Sequence, residues 1–337
     1  MSMAESRKIL VTGSSGTIGT RLCETLIEKG YQVTGVDKKC NRWSEKVNAF
    51  TVIGDIRNRG FFKILPRDFD VIINLAANVR VYGSVKNPAL ARDNLEMLFN
   101  MLEFARIRNI NKFIFASSRE VYGNSGKVLH SEEEADIRNC ESPYAASKFG
   151  GEALVRACHQ CYGMNFVIVR FSNVYGMYDD SDRVIPLFIR LAKENRNLVV
   201  YGKEKLLDFT YIDDAISGLM KCLENFGRVK NDCFNITSGK GVSLLEIAQL
   251  IIKIMNAKNK IIVRETRKGE VTKFIADISK ARQRLSFKPK IQITKGIRKT
   301  IDWYLGTLYG GEDYVFSSQE ACKEAKTKYR DKYQSTM

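Results

Sequence analysis

The chain has 337 residues, of which 44% are hydrophobic, and a formal net charge of +16. That length allows two domains and a sizeable core. No run of ~18 apolar residues occurs, so no membrane span is expected, and Lys and Arg are dispersed with no long basic run, so the charge describes a basic surface that attracts small anions and no nucleic-acid partner is expected. The opening residues lack the apolar segment of a secretory leader. Lys8 to Thr12 (KILVT) is a short apolar strand that runs into Gly13-x-x-Gly16-x-x-Gly19. A strand, a glycine turn and then a helix is the context that a dinucleotide-binding fingerprint requires. Gly13 permits the tight turn, Gly16 lets the backbone approach a pyrophosphate, and Gly19 lets helix and strand pack closely. Ile18, Leu22, Leu26 and Ile27 recur at helical spacing over Thr17 to Lys29, and Gly30 ends the pattern. The N-terminus of that helix faces the phosphates.

Gln32 to Val36 predicts a second strand ending at Asp37. An acidic residue ~20 positions past the loop suits a ribose diol and repels a 2′-phosphate, which favours NAD over NADP. Phe50 to Ile53 leads into Gly54-Asp55-Ile56, where Asp55 either accepts from adenine or is a plain turn aspartate. Asp70 to Ala77 is almost continuously apolar, as a strand buried on both faces should be. Asn111 to Ala116 precedes Ser117-Ser118, and Asn165 to Phe171 follows the next helical pattern. Strands alternating with helices indicate an α/β fold with a doubly wound, Rossmann-type parallel sheet. Gly13, Asp37, Ala76, Ser118 and Asn173 fall at strand carboxyl ends, where such sheets bind ligands.

Tyr144 and Lys148 are four residues apart, so a helix places them on one face. A nearby ammonium favours the phenolate and would lower the Tyr144 pKa from ~10 toward neutrality. Such a tyrosine can take a proton from a sugar hydroxyl while hydride leaves the same carbon. Val184 to Glu194 reads as a helix bordering the sugar site. Eight cysteines show no zinc-type double pair, and Cys158-x-x-Cys161 lies within the Tyr144 helix pattern, where packing explains it better than redox chemistry. Free thiols without a leader point to the cytoplasm. With only His130 and His159 present, a histidine-based metal site is not expected.

These segments resemble the extended short-chain dehydrogenase/reductase family, in particular its nucleotide-sugar epimerases and dehydratases, and most of all its UDP-glucose 4-epimerases. The markers are TGSSGTIG (12–19), LAA (75–77), SSREVYG (117–123), SPYAASK (142–148), RFSNVYG (170–176), DFTYIDDA (208–215) and RKGEV (267–271). The resemblance covers about residues 7 to 305. It implies Tyr144 as base, Lys148 on the nicotinamide ribose and Ser118 on the substrate hydroxyl. It implies NAD contacts from Gly13, Gly16, Thr17, Ile18, Gly19, Asp37, Asp55, Ile56, Leu75, Ala76, Ala77, Asn94 and Ser117. It also implies Asn173 at the substrate diphosphate and Arg267 on the nucleotide's phosphate or ribose, with Arg119, Val184 and Tyr201 lining the same site. The expected partners are a UDP- or dTDP-sugar and a second copy of the chain, through helices 90–108 and 144–162.

Two departures stand out. Many relatives carry an arginine before the Asp-Phe of DFTYIDDA; here Leu207 stands there and the loop before it is one residue short, leaving Lys203 or Lys205 to replace the arginine. Between Ser118 and Val-Tyr-Gly, simple 4-epimerases have small residues, whereas this chain has Arg119 and Glu120. A glutamate at the Glu120 position is a feature of the family's dehydratases and decarboxylases, where it serves as a second base. The expected reaction is therefore 4-epimerisation through a transient keto sugar, with dehydration or decarboxylation through Glu120 as the alternative. A regulator that binds NAD without catalysis is a remote third reading, opposed by the intact Ser, Tyr and Lys set. The expected organisation is an NAD-binding domain at 1–173, rejoined by 208–238, and a nucleotide-sugar lobe at 174–207 and 239–310. Residues 311–337 form a polar, lysine-rich extension.

Overall fold

The structure is a computed structural model and describes residues 7–308; the extension at 311–337 lies outside the described residues. Seven strands form one parallel sheet. They are β1 (Lys8–Thr12), β2 (Gln32–Asp37), β3 (Thr51–Ile53), β4 (Val71–Asn74), β5 (Lys112–Ser118), β6 (Asn165–Phe171) and β7 (Asp232–Ile236). Their spatial order is β7-β6-β5-β4-β1-β2-β3, and the order reverses between β1 and β4. A crevice opens at such a reversal, beyond the strand carboxyl ends.

Alternate residues of the central strands supply two cores. Ile9, Val11, Ile73, Ile114, Val167 and Val169 face one side, packed with Leu22 and Leu26 of helix α1 (Thr17–Glu28). Leu10, Ile72, Phe113, Phe115, Phe166 and Ile168 face the other, packed with Leu98, Met101 and Leu102 of α2 (Ala89–Ile107) and Val155 of α3 (Pro143–Tyr162). The two-residue side-chain alternation of a strand explains why these strands read as unbroken apolar runs.

Most expected elements appear within a residue or two. β4 is shorter than the apolar run suggested, because it ends at Asn74 and Leu75 to Ala77 already form the loop beyond. β5 is longer, because Ser117 and Ser118 pair with Arg170 and Phe171 of β6. Cys158 and Cys161 lie within α3. Cys23, Cys140, Cys158, Cys161, Cys222 and Cys233 are free thiols, whereas Cys40 is disulfide-bonded, which departs from the free thiol expected there.

A smaller sheet lies over the crevice. Its path runs from 241–243 through 206–211 and 273–276 to 129–130, and strand 173–175 also pairs with 206–211. Strands 198–201 and 261–264 pair separately, in parallel. No helix among the described residues is long and apolar enough to cross a membrane.

Candidate active site

The glycine turn is held by sterics. Gly13 has φ +73°, and a Cβ there would lie 2.9 Å from the Ala76 amide nitrogen. A Cβ on Gly19 would lie 1.9 Å from the Gly13 carbonyl oxygen. Helix α1 begins at once, with Gly16 as its N-cap, no side-chain cap and no acidic residue in its first turn. Its leading amides therefore offer donors and a partial positive charge to an anion. Across the turn, Asp37 ends β2. Its carboxylate accepts the Ser15 and Lys39 amide N–H groups at 3.1 and 3.0 Å. Burial pushes its pKa up, and those bonds oppose the shift.

A cavity of about 990 Å³ runs from this turn to the smaller sheet. Gly13, Gly16, Thr17, Ile18, Gly19, Asp37, Asp55, Ile56, Leu75, Ala76, Ala77 and Ser117 line the end at the glycine turn. Three of these have other engagements. The Asp55 carboxylate is forked by Arg57, with Nη2 at 2.6 Å, which holds its pKa low. The Thr17 hydroxyl donates to the Tyr178 carbonyl at 3.0 Å. The Ser117 hydroxyl donates to Glu152, which is itself forked by Arg170 in a fully buried pair. Asn94 stands behind the cavity wall, where it accepts the Asn78 amide at 2.6 Å and donates to the Ser147 hydroxyl.

Ser118, Arg119, Glu120, Tyr144 and Lys148 converge on the same cavity. Ser118 ends β5, and its side chain caps a short 3-10 turn by accepting the Glu120 amide at 3.2 Å. Tyr144 and Lys148 lie one turn apart on α3, whose N-cap Ser142 accepts the Ala145 amide and whose first residue is Pro143. The Lys148 ammonium donates to the Ala116 carbonyl at 2.7 Å and sits 5.8 Å from the centre of the Tyr144 ring. The expected lowering of the Tyr144 pKa is not found. Burial pushes the phenol up to about 12, the hydrogen bond with Ser118 opposes the shift, and the Glu120 charge adds to it. Burial also brings Lys148 down to about 8, partly offset by Glu152. Desolvation acts on both groups and is the largest cause of the shift in each.

Asn173, Val184, Tyr201 and Arg267 line the far end. The Arg267 guanidinium lies 3.8 Å over the Tyr201 ring and 5.1 Å from the Tyr82 ring. The Asn173 side-chain amide donates to the Asp208 carbonyl at 2.9 Å. Leu207 also faces the cavity, as does Lys205, which is buried and paired with Glu270. Lys203 does not line it. Sequence reasoning missed Arg183, Arg196 and Tyr82, which line the cavity outside the quoted motifs. Glu270 stood inside the quoted RKGEV segment, and the burial of Lys205 gives it a partner.

The profile of the NAD dependent epimerase/dehydratase family matches residues 9–237. The chain belongs to that family. It is an enzyme, and its cofactor is NAD. A putative UDP-glucose 4-epimerase of Methanocaldococcus jannaschii is 34% identical, over 88% of this chain and 97% of that one. A dTDP-glucose 4,6-dehydratase of an Actinoplanes species is 31% identical, over 88% and 97%. The solved UDP-glucuronic acid 4-epimerase of Bacillus cereus, in complex with UDP-glucuronic acid and NAD, superposes with a TM-score of 0.82 at 30% identity, covering 90% of this chain and all of that one. The uncapped α1 amides and the close-packed glycine turn fit a pyrophosphate, and the Asp37 carboxylate fits an unphosphorylated ribose.

Proposed function

We propose that this enzyme interconverts nucleotide sugars at C4 of a UDP- or dTDP-linked hexose. The observation that carries the reading is that Ser118, Tyr144 and Lys148 share one cavity with the uncapped glycine turn. On this reading residues 1–173 with 208–238 hold NAD, and 174–207 with 239–310 hold the nucleotide sugar. Gly13, Gly16 and the first turn of α1 would hold the NAD pyrophosphate and Asp37 its ribose. NAD, when bound, supplies the two-way redox capacity that the chain lacks.

Tyr144 accepts the C4 hydroxyl proton and later returns it. Ser118 orients that hydroxyl and, by its bond to the phenol, favours the phenolate. Lys148, fixed on the Ala116 carbonyl, holds the cofactor ribose beside Tyr144. The keto sugar turns over within the cavity and takes its hydrogen back on the other face. Arg267, Tyr201 and Asn173 hold the nucleotide and diphosphate, and Lys205 occupies the region where Leu207 leaves no cation. General base catalysis contributes ~10²–10⁴ in rate, and positioning supplies much of the rest. The enzyme works as a cytoplasmic homodimer through the outer faces of α2 and α3, where Phe99, Ile107 and Tyr162 are exposed.

A second reading has its own observation. Glu120 is buried in the cavity, and its Oε2 has no hydrogen-bond partner within the protein. A carboxylate so placed is a candidate base for a dehydratase or decarboxylase. Incubation with UDP- and dTDP-sugars in deuterated water separates the two. A 4-epimer without ring deuterium supports epimerisation. A product lighter by water or carbon dioxide, with deuterium on the carbon beside C4, overturns it.

A further inference from the structure

Residues 177–183 follow strand 173–175 without forming helix or strand, and enter the helix Val184–Lys193. On the way they cross the crevice between β1 and β4. The Tyr178 carbonyl accepts the Thr17 hydroxyl at 3.0 Å, at the first residue of α1 beyond β1. Four residues on, the Asp182 carboxylate accepts Arg80 Nη2 at 3.3 Å, in the segment beyond β4. Between the two, Asp180 pairs with Arg42 in the segment beyond β2. The run is therefore tied to the segments that follow three neighbouring strands, on both sides of the reversal. Asp179 and Asp182 line the cavity from it.

The run holds one strained residue. Tyr178 has φ +66°, a backbone region that disfavours a bulky side chain. Such a conformation persists only where its surroundings over-determine it. Here the Tyr178 hydroxyl donates to the Glu24 carboxylate of α1 at 3.0 Å. Its ring meets those of Trp43 and Trp303, with centroids 6.3 and 5.5 Å away. The other end is held as well, since Asp182 also accepts Arg190 Nη2 at 2.7 Å. The middle is weaker. Arg42 and Asp180 are both nearly half exposed, and such a pair contributes little and is screened by salt. A dinucleotide whose pyrophosphate sits at the glycine turn, beside Thr17, leaves the crevice past this run. We propose that residues 178–182 are a strap over the bound NAD, and that its opening at the Arg42–Asp180 and Arg80–Asp182 pairs sets the rate at which the cofactor leaves. The inference rests on the seat of NAD at the glycine turn given above.

The test loads the enzyme with NADH, chases it with excess NAD and follows the loss of bound-nicotinamide fluorescence. Arg42 and Asp180 do not line the cavity, so an effect of either on release passes through the strap. Arg42→Gln and Asp180→Asn should each speed release about threefold. The exchanged pair, Arg42→Asp with Asp180→Arg, should return it to near the wild-type rate. Raising potassium chloride to about 1 M should speed release from wild type more than from Arg42→Gln, because the variant has one pair fewer to screen. Should either single variant fold poorly, judged by its Tm, Tyr178→Phe takes its place; it loses only the Glu24 bond and should also speed release. Release that neither the variants nor salt change overturns the strap and leaves the NAD seat standing, as does an acceleration that the exchanged pair does not reverse. Protein that binds NADH under no condition overturns the seat and the strap with it.

Discussion

The Lys148 ammonium sits 5.8 Å from the centre of the Tyr144 ring, one helical turn away, and is tied to the Ala116 carbonyl at 2.7 Å. This geometry separates positioning from proton transfer. On the proposed mechanism, Tyr144→Phe removes only the proton acceptor. Turnover should fall by ~10²-fold or more while bound NAD is retained. Steady-state kinetics with cofactor content measured on the same sample checks this, and undiminished turnover would remove Tyr144 from the mechanism.

Lys148 carries a stability signature. Its folded-state pKa is about 8, below the ordinary 10.5, because burial disfavours the ammonium. Between those two values the unfolded chain binds more protons, so wild-type stability should rise with pH from about 8 to 10.5. Below that window the cost of burying the charge is fully present. In protein freed of NAD, Lys148→Met should therefore be more stable than wild type at pH 7, on the order of 2 kcal/mol. That advantage should shrink as pH rises through the window. Urea titrations at a series of pH values read this directly, and a constant difference would contradict it.

On the proposed reading, Asp37 sets the cofactor choice. Wild type should bind NAD more tightly than NADP, because a 2′-phosphate would meet the carboxylate. Asp37→Ser should narrow that preference by about tenfold or more. Fluorescence titration with both reduced cofactors compares the two, and a wild type that prefers NADP would refute the assignment.

The Arg170–Glu152 fork is a stability element beneath the site. Arg170 donates to Glu152 at 2.9 and 2.7 Å, and Ser117 donates to the same carboxylate. Arg170→Met leaves that carboxylate buried without its countercharge and should cost about 3–5 kcal/mol. Chemical denaturation measures the loss. A change below about 1 kcal/mol would mean that the carboxylate takes a proton at little cost.

The exposed apolar residues of α2 and α3 bear on assembly. Light scattering at micromolar concentration should give the mass of a dimer, and Phe99→Asp should shift it toward the monomer. A monomeric wild type would count against the interface.

The glycine turn, β1, α1 and Asp37 were legible in the sequence because each depends on residues close in the chain: a strand period, a helix period and a backbone position closed to any Cβ. The spacing of Tyr144 and Lys148 likewise needed only a helix. What spacing could not supply was their environment. The phenol lies higher in pKa than the pair alone suggests, because the fold buries it, and desolvation depends on every neighbour at once. Asn94 stands behind the wall and Ser117 turns to Glu152, because partners 16 and 35 residues away claim their side chains. The smaller sheet pairs strands as distant as 129–130 and 273–276, and short polar strands carry too little periodicity to announce such partners. Local chemistry therefore set the cofactor turn and the catalytic spacing. Only the tertiary structure decided which charges were buried, which were paired, and which two atoms of Arg119 and Glu120 were left without a partner.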